Sequence, residues 1–356
     1  KYVSVRLVLA WASFMCWTVP RINVDTAFLY APMTEELYMK QPEGFEIPGP
    51  QGQKLVCKLK KSLYGTKQAS RNWNDTLCKT LKDLGFRQSM VDPGVFTSSV
   101  KDQMHILLVY VDDMIIVGPD VDYIEEFKAR MTKIFKIKDL GEAQWVLGIG
   151  VTTNKENRSI KINQTKYIDD MLRKYNMEDC NPVDTPMAAG QVEHESKPLD
   201  DKLSHLYRSL LGSLMYVMVC TRPDIGFAVS HLSKHMAKPN QQHLMAAKRV
   251  LRYLKGTRQS ALNFSGGKHD VLLTGSSDAD WAGDIVSRRS TSGYLFMCNG
   301  AAISWRSALQ ATVALSTAEA EYIALCAAAQ EAVFLRMLLN DLNFPQSKPT
   351  VIYEDN

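Results

Sequence analysis

Apolar residues recur along this chain with two different periods. Spacing of three to four predicts helices over 3–18, 70–84, 121–135, 161–175 and 317–342, with Trp73, Leu77, Leu81 and Leu84 on one face of the second. A longer helical region spans 203–256. Shorter β-rich runs predict a strand over 21–30 that runs into a turn region, and strands over 54–60, near 145–151, over 271–276, 292–298 and 301–305, and from Thr350 onward. The sharpest local pattern lies at 105–118. Two apolar runs, Ile106–Val111 and Met114–Val117, are separated only by Asp112 and Asp113, which reads as a β-hairpin. A polar stretch over 187–202 reads as a linker, and Gly266-Gly267 marks a second break. These breaks divide the chain into 1–186, 187–265 and 266–356, with no internal repeat and no low-complexity tract.

Composition narrows the class. With 46% hydrophobic and 22% charged residues, the chain has the make-up of a globular protein. Its 356 residues suffice for one large domain or two to three ordinary ones. The net charge of +4 permits a nucleic-acid partner without requiring one. Seven cysteines, odd in number and never in a CxxC pair, fit a reduced compartment better than a disulfide framework. The apolar stretch 7–19 is shorter than the roughly 18 residues of a membrane span and is expected to be a buried helix, and no membrane partner is expected. Lys1 in place of Met, and a strand-like run into Asn356, read as cuts at both ends.

Adjacent carboxylates at the tip of an apolar hairpin work against stability, because like charges repel and buried carboxylates lose hydration. An isolated Asp-Asp pair is read first as a turn, since Asp favours turns. The context here is Tyr110-Val111-Asp112-Asp113 between apolar strands, which matches the YxDD motif of reverse transcriptases. Phosphoryl transfer uses such carboxylates to hold two divalent ions about 3.5–4 Å apart.

Three further stretches carry a wider resemblance. They are Val24-Asp25-Thr26-Ala27-Phe28-Leu29 with Gln41-Pro42-Glu43-Gly44-Phe45 after it, Ser62-Leu63-Tyr64-Gly65-Thr66-Lys67-Gln68-Ala69-Ser70-Arg71, and Thr221-Arg222-Pro223-Asp224-Ile225. Together with the hairpin they resemble, in order, the Pol polyprotein of copia-type retrotransposons over most of 1–260. The resemblance implies that Asp112 and Asp113 are catalytic metal ligands. It puts Phe28 where the family has the aromatic that excludes a ribose 2′-hydroxyl, although a core aromatic explains Phe28 equally well. Gln68 matches a residue near the incoming nucleotide. Lys58, Lys60, Lys61, Lys67 and Arg71 form a basic stretch, read either as a solvated face or, for Lys61, Lys67 and Arg71 above all, as phosphate contacts.

One position departs from the family. The catalytic Asp expected two residues before Asp25 is Asn23 here. A neutral amide is a weak ligand for a hard cation. Asp25 shares a strand face with position 23 but lies about 7 Å away, so it could substitute only if the strand shifted. The polymerase is therefore expected to be impaired.

The C-terminal third has its own signature. Ser277-Asp278-Ala279-Asp280 ends a strand, Ser316-Thr317-Ala318-Glu319-Ala320-Glu321 opens a helix, and Tyr353-Glu354-Asp355-Asn356 ends another strand. Three separated acids in that order resemble ribonuclease H, which implies that Asp278, Glu321 and Asp355 are catalytic metal ligands. Ser316 and Glu319 have the spacing of a capping box, so Glu319 is taken as structural, and Asp280 as second to the ligands or exposed. The family's fourth ligand lies downstream of the last strand, so the segment as given is expected to be a weak or inactive nuclease. His231 and His235 lie four apart, but no Glu follows His231 as in a metalloprotease helix, and a surface pair is expected.

The expected fold is α+β: polymerase fingers (partial) and palm over 1–186 with an antiparallel sheet, a helical thumb or connection over 187–265, and an RNase H-like α/β domain with a mixed sheet over 266–356. The expected activity is RNA-directed DNA polymerase with RNase H, using two Mg²⁺ (or Mn²⁺) per site. Its partners would be an RNA template, a DNA primer, the RNA–DNA hybrid, deoxynucleoside triphosphates, and the integrase and protease segments of a parent polyprotein. The location implied by the family is intracellular, in a cytoplasmic virus-like particle or the nucleus. The rival readings are an inactive remnant that only binds nucleic acid and a chain with nuclease activity alone.

Overall fold

The computed structural model describes residues 1–188, 197–265 and 272–355. Much of the linker at 187–202, and Gly266-Gly267, lie outside the described residues. Contacts gather the chain into two units. One is Thr18–Ala143, and the other joins Lys1–Trp17 to Gln144–Asn356. These borders differ from the breaks at 186/187 and 265/266 that composition suggests. The reason lies in the first helix, α1 (Tyr2–Met15), where every residue from Ser4 to Ser13 is buried. A helix buried all round has to find partners, and α1 finds them far along the chain. Ser13 Oγ lies 2.9 Å from the carbonyl oxygens of both Arg158 and Phe264, and Asn299 donates to Ala10 O at 2.9 Å. The expectation of a buried helix at 7–19 holds, although α1 stops at Cys16, whose φ of 58° breaks the run.

In the unit Thr18–Ala143 the strands are β1 (Pro20–Val24), β2 (Tyr38–Lys40), β3 (Val56–Lys58), β4 (Arg87–Gln88), β5 (Val95–Val100), β6 (Gln103–Tyr110), β7 (Asp113–Val117) and β8 (Ile137–Glu142). The helices are α2 (Ala69–Asp83) and α3 (Val121–Thr132). Six strands form an antiparallel sheet in the order β4-β5-β6-β7-β1-β8, and β2 pairs with β3 apart from it. Strand alternation sorts the side chains. Ile22, Val24, Phe96, Leu107, Met114 and Ile116 pack with Trp73, Leu77 and Leu81 of α2 and Ile124, Phe127 and Met131 of α3. Arg21, Asn23 and Asp113 therefore point to the opposite face.

The hairpin at 105–118 forms as the apolar pattern predicts, with one shift. Tyr110 pairs with Asp113, so the two-residue loop is Val111-Asp112 and Asp113 opens β7. Val111 takes φ 57°, the left-handed conformation that tight hairpin loops require. Trp73 Nε1 holds this strained tip by donating to Val111 O at 2.7 Å, and Val24 N donates to Asp112 O at 2.9 Å.

The second unit continues with β9 (Trp145–Val146), β10 (Ile149–Asn154), β11 (Ser159–Asn163), α4 (Thr165–Lys174), α5 (Asp201–Cys220), α6 (Gly226–Ser233), α7 (Gln241–Gly256) and β12 (Leu262–Ser265). It closes with β13 (Thr274–Asp280), β14 (Thr291–Cys298), β15 (Ala301–Leu309), α8 (Thr317–Asp341) and β16 (Val351–Tyr353). Two sequence expectations need correction here. The run at 145–151 is two strands turned at Leu147 and Gly148, both with positive φ. Residues 161–163 are strand rather than the start of a helix, because Ile160 and Ile162 alternate into the middle of the sheet β12-β11-β10-β9. Strand β8 was not legible in sequence, since all but its first residue are exposed and no alternation marks it.

Helices α4 to α7 share a core that includes Ile168, Tyr207, Leu214, Val229 and Leu251. The last sheet runs β15-β14-β13-β16, and only β13 and β16 are parallel, which makes it mixed. Helix α8 is long and apolar enough to cross a membrane by length and composition alone. One of its faces, Ala320, Ala324, Ala328, Ala332, Leu335 and Leu338, is buried against β13 and β14, as in the core helix of a globular domain.

Trp73→Phe keeps an aromatic ring but loses the hydrogen bond to the hairpin tip. The urea midpoint should reveal a loss of about 1 kcal/mol from the hydrogen bond plus a smaller packing cost. Trp73→Ala should cost about 3–5 kcal/mol.

Candidate functional site

Among the described residues, two groups of acids bear on function, one in each unit. Strand pairing builds the first. Antiparallel register sets Asn23 of β1 directly across from Asp113 of β7. The Asn23 amide Nδ2 lies 2.9 Å from Asp112 Oδ2 and 3.3 Å from Asp113 Oδ1, so one amide nitrogen faces both carboxylates. Arg21, two residues earlier on the same face, reaches diagonally to Asp113. Its Nη2 lies 2.7 Å and 2.9 Å from the two carboxylate oxygens, and Nε lies 3.1 Å from Oδ1.

Asp25 does not make up for Asn23. Its carboxylate pairs with Lys138 at 2.7 Å and with Lys136 at 3.4 Å, both on the β8 side of β1. The Lys138 bond first, and Lys136 with it, hold this carboxyl below the usual carboxylate range.

The other residues singled out in this unit lie on its loops and on α2. Phe28 sits in a short 3-10 turn, half buried, with its ring 4.6 Å from that of Tyr64 and packed against the core. Gln68 precedes the first residue of α2 and donates to Glu35. Lys61, Lys67 and Arg71 are exposed, while Lys58 pairs with Glu36 at 2.7 Å.

The second group comes from three elements. Parallel pairing sets Ser276 of β13 against Tyr353 of β16. Two residues on, the period of a strand brings Asp278 and Asp355 to the same face. Glu321 reaches them from the first turns of α8. Ligand atoms of Asp278, Glu321 and Asp355 all lie within 4.8 Å of one another. Glu321 Oε2 is buried with no hydrogen-bond partner. Burial first, then the charges of Asp278, Glu354 and Asp355, push the Glu321 carboxyl upward, against a single helping bond from the Ala279 backbone. A buried carboxylate oxygen without a donor, facing two more carboxylates, is the donor set a divalent cation requires. Beside Asp278 a groove of about 630 Å³ is walled by Asp280, Thr291, Tyr294, Trp305 and Arg306.

Glu319 stays out of this group, and its Oε2 accepts from Leu315 N at 2.6 Å while Ser316 Oγ accepts from Glu319 N at 3.1 Å. The box thus closes one residue earlier than its spacing suggests. Asp280 is exposed. The ring centroids of His231 and His235 are 5.8 Å apart, and His235 stacks on His243 at 3.9 Å. His243 also caps α7, its Nδ1 accepting from Asn240 N at 3.1 Å. Sequence reading passed over Arg21 and the closeness of Glu354 to Glu321, and it placed Trp73 on a helix face without its bond to the hairpin tip. Only the two-residue offset of Arg21 from Asn23 could have pointed to any of them.

Residues 1–189 match the family model described as reverse transcriptase (RNA-dependent DNA polymerase). The chain belongs to this reverse transcriptase family. Along its whole length this reverse transcriptase-family chain is 43% identical to the retrovirus-related Pol polyprotein from transposon TNT 1-94 of Nicotiana tabacum and covers 27% of it. It is 37% identical, again over its whole length, to the corresponding polyprotein from transposon RE1 of Arabidopsis thaliana and covers 24% of it. Over 85% of the chain it is 33% identical to the transposon Ty5-1 protein of Saccharomyces cerevisiae, of which it covers 97%. The chain thus spans about a quarter of the length of the first two, which are polyproteins of copia-type transposons.

The raised Glu321 carboxyl sets a pH dependence. A folded value above the unfolded one means that ionising this group costs stability, so its penalty is absent below the unfolded value and grows as pH rises through the folded value. In chelator, Glu321→Gln should therefore be more stable than the parent at neutral pH, and the difference should vanish below the usual carboxylate range. Added Mg²⁺ should raise the Tm of the parent more than that of Glu321→Gln, as binding to the folded state alone requires. Differential scanning fluorimetry across pH reads both effects.

Proposed function

We propose that this chain is the polymerase and ribonuclease H part of a copia-type Pol polyprotein, with a nuclease centre that retains its acids and a polymerase centre that is impaired. In this reading the unit Thr18–Ala143 supplies the palm and part of the fingers, the helices over 201–256 form the connection, and the last mixed sheet with α8 is the RNase H-like domain.

The convergence of Asp278, Glu321 and Asp355 within 4.8 Å carries the nuclease half of the reading. These three side chains would hold the divalent ions, Mg²⁺ or Mn²⁺, which when bound supply charge neutralisation at the scissile phosphate and a more acidic water. The protein's own part is orientation. Strand pairing fixes Asp278 and Asp355, and burial of Glu321 keeps bulk water from its inner oxygen. The groove beside Asp278, with Tyr294, Trp305 and Arg306 in its walls, suits one strand of an RNA–DNA hybrid.

The polymerase half rests on the YxDD hairpin and on family membership. By that analogy Phe28 would exclude the ribose 2′-hydroxyl, Gln68 would lie near the incoming deoxynucleoside triphosphate, and Lys61, Lys67 and Arg71 would meet template and primer phosphates. The residues present fit a pair of divalent ions poorly, because Asp113 is held by Arg21 and position 23 offers an amide where a carboxylate is needed. That same geometry favours a second reading, in which the polymerase unit binds template and primer without extending them. The remaining Pol segments, protease and integrase, are partners in the parent polyprotein, and the intracellular site is the particle or nucleus where such a polyprotein works.

A paired assay on the Pol protein that carries this chain separates the possibilities. Hybrid cleavage in Mg²⁺ should fall about 10²–10³-fold in Asp278→Asn, the scale of losing electrostatic stabilisation in an active site. Primer extension by the Asn23 form should be weak and should rise in Asn23→Asp. Robust extension by the Asn23 form, unchanged by Asn23→Asp and by Asp112→Asn, would sink the polymerase assignment, and cleavage indifferent to Asp278→Asn would sink the nuclease assignment.

A further inference from the structure

We infer that Arg21 is a built-in counter-cation of the Asp112–Asp113 pair, so that together with Asn23 it keeps divalent metal out of the site that the hairpin presents. The inference rests on reading this pair as the polymerase position and adds a second residue to its impairment. Adjacent carboxylates need compensating charge, and in a working two-metal centre cations provide it. Here the protein provides it. Arg21 grips Asp113 through both carboxylate oxygens, the bidentate geometry in which a guanidinium binds most strongly. The Asn23 amide nitrogen faces one oxygen of each acid and offers a donor N–H there, where a cation would need a further oxygen ligand.

The placement follows from the strand. Residues 21 and 23 share a face of β1, and Asn23 is directly opposite Asp113. A long side chain two positions away reaches the diagonal neighbour across an antiparallel pair, which a Gln or Ser at 21 could not do with charge. The pair is partly shielded, with the Arg21 and Asp113 side chains each 24% exposed, so solvent screens it only in part.

Formal charge makes the consequence concrete. Asp112 and Asp113 contribute −2 and Arg21 contributes +1, so the cluster carries −1. Asn23→Asp alone brings it to −2, with Arg21 still occupying Asp113. Removing Arg21 as well brings it to −3, the charge of three carboxylates facing a cation. Restoring the acid at 23 is therefore a partial repair, and position 21 sets how much metal affinity returns.

The probe is Mn²⁺ alone, titrated calorimetrically into the whole chain carrying Asp278→Asn and Glu321→Gln, which silences the C-terminal acids. In this background the Asn23 form should bind no Mn²⁺ at the hairpin, Asn23→Asp should bind weakly, and Arg21→Gln/Asn23→Asp should bind at least about ten-fold more tightly than Asn23→Asp. Arg21→Lys/Asn23→Asp keeps the charge and should stay near Asn23→Asp, which guards against loss of fold in the Gln variant. A metal-free readout is thermal. In chelator, the Tm losses of Arg21→Gln and Asp113→Asn should fail to add in the double variant, because both remove one ion pair. Tight Mn²⁺ binding by the Asn23 form, equal affinity of Asn23→Asp with and without Arg21, or additive Tm losses would each overturn the role of Arg21. If these results hold while no variant extends a primer, the polymerase assignment falls and the counter-cation stands.

Discussion

Crowded carboxylates are the constraint around which this chain is organised. Backbone pairing forces acids together at a hairpin tip and again where a parallel strand pair meets the start of a helix. Each crowd has to be neutralised, and the two are treated differently. At the hairpin a guanidinium and an amide from the neighbouring strand face the acids. At the C-terminal cluster Glu321 keeps a buried oxygen without a donor, and its carboxyl is pushed upward. Crowding of this kind is relieved by a proton or by a bound cation, and an oxygen left without a donor beside two more carboxylates suits a cation, which makes the C-terminal cluster the better candidate for a working centre.

The surrounding fold exists to hold these positions. Trp73 anchors the strained Val111 from below the hairpin, and the Val24–Asp112 backbone bond fixes the loop against β1. In the other unit, Ala320, Ala324 and Ala328 bring α8 close to β13, so that Glu321 comes within reach of Asp278. The Thr221–Ile225 motif has a structural part in the same unit. Arg222, nearly buried, pairs with Asp224 at 2.6 Å and donates to Thr257 O at 3.0 Å, tying the end of α5 to the end of α7.

The hairpin acids were legible in sequence because their motif is short and local, and the C-terminal acids through their resemblance to a known strand, helix, strand order of acids. Tyr110-Val111-Asp112-Asp113 lies between apolar runs, and the three C-terminal acids follow strand, helix and strand in turn. What was not legible depended on register or on distant partners. Sequence spacing already separated Asp25 from position 23, but not what holds each: Lys136 and Lys138 claim Asp25 while Asn23 meets the hairpin. The placement of α1 in the unit it joins could not be read at all, since its partners on β11, β12 and β15 lie far downstream.

By itself the sequence determined the strongly periodic elements, the acidic residue types and the family, because periodicity and contiguous motifs are properties of neighbours along the chain, whereas the exposed strand β8 left no such mark. Tertiary structure decided which charges meet. Whether Asp113 faces a metal or an arginine, and whether Glu321 is solvated or stranded, depends on strand register and helix packing, and electrostatic energy falls off with distances that only the folded chain defines.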